Sequence, residues 1–133
     1  MTQYIGILDG KAKAWGVRLP DLPGCYGGGA TPEAAIADAM SAAREWIAHR
    51  EAKGEAAPKP RTMAQILKAG EIDTAQNETA VMIQVVLDAG RTVRANLTFD
   101  AGLLAAIDAE AARRGLTRSA FLASAARERL ELV

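Results

Sequence analysis

Val93-Arg94-Ala95-Asn96-Leu97-Thr98-Phe99-Asp100 alternates without a break, with Val93, Ala95, Leu97 and Phe99 on one face of an extended chain and Arg94, Asn96 and Thr98 on the other. Successive side chains of a strand point to opposite faces, so the pattern predicts a strand over residues 93–99 with one face for a core. Asp100 is a good N-cap for a helix carrying Leu103, Leu104, Ile107 and Ala111, and Gly115 supplies its stop. Thr117 then caps a second helix with Phe121, Leu122, Ala125 and Leu130 on its apolar side. The order is strand, helix, turn, helix.

Such a unit does not stand alone. A lone strand has two unpaired edges, and so short a segment buries too little surface to be stable by itself. Pairing with a second copy answers both problems. Two antiparallel strands form a ribbon whose apolar face sits on four helices and whose other face presents Arg94, Asn96 and Thr98 twice. A two-stranded ribbon fits the major groove of DNA, where Arg pairs with guanine and Asn with adenine.

Upstream the pattern changes. Residues 3–8 and 12–19 are short strand-like runs flanking Asp9-Gly10, a favoured hairpin-turn pair, so a hairpin turning there is expected. Pro20-Asp21-Leu22-Pro23-Gly24 breaks regular structure, and residues 25–30 supply a third, glycine-rich strand. Thr31-Pro32 starts a helix, in which Ile36, Met40, Ala43 and Ile47 share the face expected to lie on the sheet. A connector ending in Pro58-Lys59-Pro60 leads to a short helix with a Thr62/Gln65 capping box, an Ile66 and Leu67 anchor and a Gly70 stop. Residues 81–87 read as a further strand, mostly buried on both faces. Asp88-Ala89-Gly90-Arg91-Thr92 is the expected boundary, dividing the chain into residues 1–87 and 88–133.

Charge follows the same division. Sixteen Lys plus Arg balance sixteen Asp plus Glu, yet residues 91–133 hold seven Arg and five acids (net +2), leaving nine bases and eleven acids upstream (net −2). The positive piece suits phosphate and the negative piece does not. One Cys and one His exclude an intramolecular disulfide framework and a metal site within one chain, so no metal and no cofactor are expected. A reducing compartment follows, and with no apolar run near the length of a membrane span the expectation is a soluble, cytoplasmic protein with no membrane partner.

The run from Val93 to Asp100, with Ile107-Asp108 and Gly115-Leu116-Thr117-Arg118-Ser119-Ala120-Phe121-Leu122, resembles the ribbon-helix-helix family of repressors. The run Leu19-Pro20-Asp21-Leu22-Pro23-Gly24-Cys25, then Gly29-Ala30-Thr31-Pro32-Glu33-Ala34-Ala35, resembles the HicB-type antitoxins of type II toxin-antitoxin systems. Together they cover nearly the whole chain. The resemblance implies an α+β protein with an N-terminal partial RNase H-like α/β domain that binds a toxin, followed by a ribbon-helix-helix dimerisation domain. It implies a HicA-type, mRNA-cleaving toxin and operator DNA as partners, a homodimer or dimer of dimers, and repression of the chain's own operon. It places Arg94, Asn96 and Thr98 at base-reading positions, with the Thr117 turn and the backbone N–H groups of Arg118 and Ser119 against phosphate.

Plainer readings stand beside these. Arg94, Asn96 and Thr98 also fit a solvated strand face. His49 suits a solvated helix end, Cys25 a small packing residue, and Gly27-Gly28-Gly29 a flexible strand edge rather than a phosphate loop. A nuclease would need carboxylates clustered on neighbouring strand ends to hold two metal ions. With Asp9 in a turn, Asp21 in a loop and no acid in residues 81–86, the chain is read as not an enzyme, with no catalytic residue. The alternative is a stand-alone ribbon-helix-helix transcriptional regulator whose first domain senses a small molecule.

Overall fold

A computed structural model describes residues 2–87 and 89–131. Its contacts divide the chain into two compact units, Met1–Leu87 and Asp88–Val133. The first residue of the expected boundary segment, Asp88, lies outside the described residues.

The first unit is a four-stranded sheet in the order β3-β2-β1-β4, built from β1 (Thr2–Lys11), β2 (Ala14–Arg18), β3 (Tyr26–Gly29) and β4 (Thr79–Val85). Each neighbouring pair is antiparallel. The hairpin turns later than expected: β1 continues through Asp9 and Gly10, Lys11 pairs with Ala14, and Ala12-Lys13 make the turn. The reason lies at Gly10, where φ is 144° and a Cβ would stand 2.4 Å from the Ala14 carbonyl oxygen. Gly10 is thus spent on a close crossing of strands inside the ladder. Ala12 takes the positive φ of the turn, at 56°.

Helix α1 (Pro32–Ala52) starts at Thr31, whose hydroxyl accepts from the Ala34 N–H, with proline in the first turn. It lies on the sheet through Ala35, Ala39, Ala43 and Ile47, all fully buried, while Ile36 and Met40 flank that line and are only partly buried. The expected face therefore holds at Ala43 and Ile47 and is one residue off in the first half of the helix, where Ala35 and Ala39 take the place of Ile36 and Met40. Glycine explains the shift. A Cβ on Gly27 would meet the Ala39 nitrogen at 2.3 Å, and one on Gly29 would meet the Ala34 Cβ at 2.7 Å. The helix backbone sits so close to β3 that only alanines fit between them. Gly27 and Gly29 are a seat for the helix and not a flexible edge.

Tyr4, Val17, Leu19, Leu22, Cys25, Ile83 and Val85 complete this core, and each large apolar side chain so buried contributes about 1.5–3 kcal/mol. The Pro20 to Cys25 loop folds around Leu22, closed by hydrogen bonds from Leu22 N to Leu19 O and from Cys25 N to Leu22 O, both 3.0 Å. Helix α2 (Met63–Lys68) carries the Thr62/Gln65 capping box and is followed by Gly70 at φ 71°. Ile66 is its buried anchor; Leu67, expected to share that role, is 59% exposed. β4 is less covered than the expected two-sided strand, since Met82 is 47% exposed while Ile83 and Val85 are fully buried.

The second unit contains α3 (Ala101–Arg113) and α4 (Arg118–Glu131). Asp100 caps α3 by accepting from Gly102 N at 2.9 Å and Leu103 N at 3.2 Å, and Gly115, at φ 69°, turns the chain. Residues 93–99 form no strand in the single chain. A strand is defined by its hydrogen-bonded neighbour, and among the described residues of one copy this segment has none.

Candidate nucleic-acid interface

The six residues singled out in the sequence all lie in the second unit. Arg94, Asn96 and Thr98 are exposed on the segment that leads into α3. Asn96 borders a cleft of about 390 Å³ together with Ala95, Leu97, Phe99, Leu104, Arg118, Ser119 and Leu122. The cleft thus brings Asn96 to the start of α4. Arg94 and Thr98 are not among its lining residues, whereas Asn96, which strict alternation groups with them, is.

The start of α4 is built by Thr117, whose hydroxyl accepts from Ala120 N at 3.1 Å while its carbonyl accepts from Phe121 N at 3.0 Å. The first N–H groups of any helix lack an intrahelical partner, which leaves those of Arg118 and Ser119 directed outward beside the cleft. The Arg118 side chain is engaged elsewhere: its guanidinium donates to both oxygens of Asp108, at 2.8 and 2.7 Å. That guanidinium holds the Asp108 carboxyl below its ordinary value. Arg113 and Arg114 likewise share Glu110, whose carboxyl they press down to about 2. Positive charge near the turn is therefore offset by acids, and what α4 offers an anion at its N-terminus is backbone N–H and the helix dipole.

The Asp108 and Arg118 pairing was invisible to sequence patterning, because it spans a turn between helices, ten residues apart. The first unit holds a second polar network of this kind. Arg18 pairs with Glu78 at 2.5 Å and donates to the Glu71 carbonyl at 2.8 Å. Asp21 accepts from the backbone N–H of Arg61 at 2.7 Å and from its Nε at 2.6 Å, and Arg61 also reaches Glu71 at 3.0 Å. The network fastens the proline-bounded loop and the end of β2 to the segment between α2 and β4. Its carboxylates are bound to arginines.

Burial pushes the Cys25 thiol up to about 11, far from the thiolate a nucleophile needs. His49 is exposed. Asp9 lies in β1 and not in a turn, yet among the described residues no group of three or more His, Cys, Asp or Glu is placed to hold a metal ion. Nor, among them, is any helix long and apolar enough to cross a membrane.

Comparison with known proteins finds one family and several solved structures of like fold. A family model described as HicB_like antitoxin of bacterial toxin-antitoxin system matches residues 4–126. Among solved structures, the Burkholderia pseudomallei antitoxin HicB is 27% identical, with a TM-score of 0.55, over 98% of this chain and 99% of that one. The antitoxin HicB3 is 25% identical, also at 0.55, over 99% of this chain and 100% of its own. A chain of the HicA3 and HicB3 toxin-antitoxin complex shares the fold at 17% identity and a TM-score of 0.52, over 65% of this chain and 99% of that one. Among curated proteins there is no significant match.

Proposed function

We propose that this chain, which belongs to the family of HicB-like antitoxins of bacterial toxin-antitoxin systems, does two jobs with two units. Residues 1–87 neutralise a HicA-type toxin by direct binding, and residues 88–133 repress the operon by binding its operator as a ribbon-helix-helix dimer. For the first job the family supplies the antitoxin role, and the solved complex of HicA3 with HicB3 supplies the toxin class and the pattern of assembly we adopt. The first unit then serves as a partial RNase H-like scaffold, a binding surface and not an enzyme.

One observation carries the second job. Residues 93–99 expose Val93 at 77% and Leu97 at 67%, beside a cleft of the same unit lined by Phe99, Leu104 and Leu122. Apolar side chains so placed are in water in one copy and out of it when two segments pair as a ribbon over four helices. Arg94, Asn96 and Thr98 then face outward together, in a form that fits a major groove, and the N–H groups of Arg118 and Ser119 meet flanking phosphates.

Co-expression tests the whole reading. With the toxin encoded beside it, the wild-type chain should restore growth and co-purify with that toxin. Arg94→Ala should rescue equally while losing roughly 1–3 kcal/mol of operator affinity per affected contact at fixed salt. Failure to rescue refutes the antitoxin role, and unchanged operator affinity refutes the ribbon.

A further inference from the structure

The second unit sets arginines against its own acids. Arg118 is the first residue of α4, and its side chain reaches α3, where Nε and Nη2 donate to the two oxygens of Asp108 at 2.8 and 2.7 Å. Arg113 and Arg114 are held in the same way by Glu110. The Asp108 pair has the geometry of a phosphate contact. A guanidinium presents Nε–H and Nη2–H as a planar fork that fits two oxygens of a carboxylate or two of a phosphate, and the same fork does not serve both at once. The pair is open to water, with 54% of the Arg118 side chain and 44% of that of Asp108 exposed. No burial locks it, and exposed pairs of this kind are weak enough to exchange. Arg118 also holds the Asp108 carboxyl below its ordinary value, so the carboxylate is charged near neutral pH.

We propose that Asp108 competes with DNA for Arg118: it occupies the guanidinium that would otherwise grip the phosphate at the start of α4, and so holds affinity for DNA down. This rests on the operator-binding reading, which puts a phosphate at the N–H groups of Arg118 and Ser119. Arg118 then offers the DNA its backbone and withholds its side chain. Asp108 is a positioning residue, acting on DNA through Arg118. In a dimer the pair is present twice, so two cations are kept from the phosphates. A protein that neutralises fewer phosphates releases fewer counterions, and its binding falls less steeply as salt rises. The pair therefore makes repression weaker at low salt and less sensitive to salt.

Titration of a fluorescent duplex of the promoter upstream of its own gene with the full chain, at several salt concentrations, tests this. Each phosphate newly contacted steepens the fall of log affinity with log salt by about 0.9, so Asp108→Asn should steepen it by about 1.8 per dimer. A fourfold rise in salt should then weaken the variant roughly tenfold more than it weakens wild type. At low salt the variant should bind more tightly, and an unrelated duplex should gain by the same factor, because phosphate contacts carry no sequence information. Asp108→Ala, which suits an exposed helical position better than asparagine, should give the same slope if asparagine disturbs the fold. Asp108→Asn with Arg118→Gln should return to the wild-type slope, which separates release of Arg118 from the mere loss of a negative charge. A slope unchanged in both single variants overturns the proposal. So does a double variant that stays as steep as Asp108→Asn, and so does weaker binding by both single variants at low salt, since the pair is then a clamp that positions α4. A wild-type chain that binds neither duplex refutes the operator-binding reading itself, and the competition with it.

Discussion

Replacing Gly27 by alanine adds one methyl group at the tightest approach in the first unit. That carbon would stand 2.3 Å from the Ala39 nitrogen, 2.6 Å from its Cα and 2.7 Å from the Ala35 carbonyl oxygen. All three are helix backbone, which cannot rotate aside. Ordinary contact begins near 3.4 Å, so α1 must lift by about 1 Å or tilt. A gap of that size forfeits roughly a quarter to a half of each dispersion contact along the seam, and overpacking of this kind costs about 1–3 kcal/mol. For a unit of this size each kcal/mol moves the midpoint by roughly 4–8 °C, so Gly27→Ala should melt about 4–24 °C lower. Gly28→Ala is the control one residue away. Its Cβ would meet nothing nearer than the Trp15 carbonyl oxygen at 3.6 Å, and Gly28 has no positive φ, so stability should stay within about 1 kcal/mol of wild type. The chain's two tryptophans, Trp15 and Trp46, both lie in the first unit, so their fluorescence follows its unfolding alone. If the two variants melt within 2 °C of each other, roughly 0.5 kcal/mol, α1 is not seated on β3 as described.

Three further outcomes follow from the polar contacts and the division into units. Arg18 and the Asp73 N–H hold the Glu78 carboxyl below the ordinary value of 4.5, so its contribution is full above that value and fades as pH falls toward the depressed one. Glu78→Gln should therefore flatten the loss of stability between neutral and acid pH, read as a smaller slope of melting temperature below pH 5. Asp100→Ala removes the cap of α3 and should cost about 1 kcal/mol, visible as lost helicity by circular dichroism. Residues 1–87 alone should relieve toxicity without binding the operator, and residues 88–133 should bind DNA without protecting cells; the reverse assignment would refute the proposed roles.

Elements whose signal is local were legible in the sequence. The Thr31, Thr62, Asp100 and Thr117 caps each need only a hydroxyl or carboxylate two or three residues ahead of an N–H, and each makes that bond. The positions that escaped depend on what lies across the fold. Asp9-Gly10 has the composition of a turn, but the approach of Ala14 and Trp15 uses that glycine inside the ladder and moves the turn onward. In α1 the larger Ile36 and Met40 dominate a hydrophobic pattern, whereas the buried line starts with Ala35 and Ala39, because Gly27 and Gly29 of β3 have no side chains to hold the helix away. The Arg18, Asp21, Arg61, Glu71 and Glu78 network joins residues up to 60 apart, and no spacing rule reaches that far. For the candidate interface, the alternation of residues 93–99 was plain, while the partners of Arg118 and Glu110 were not.

The two units also differ in what a single copy can stabilise, and the difference bears on regulation. The first has a closed core of fully buried large side chains, among them Tyr4, Leu22, Ile47 and Ile83. In the second, the buried hydrophobic residues among those described are Ile107 and Ala111, while Val93, Leu97, Leu103 and Leu130 are each about half exposed or more. Folding free energy that depends on covering those side chains is available only on association, so it varies with chain concentration by mass action. On the proposed reading, toxin binding rests on a unit that is stable at any dilution and operator binding on one that is not. As antitoxin is depleted, repression should therefore fail before neutralisation does, and the operon reopens while the remaining chains still hold their toxin.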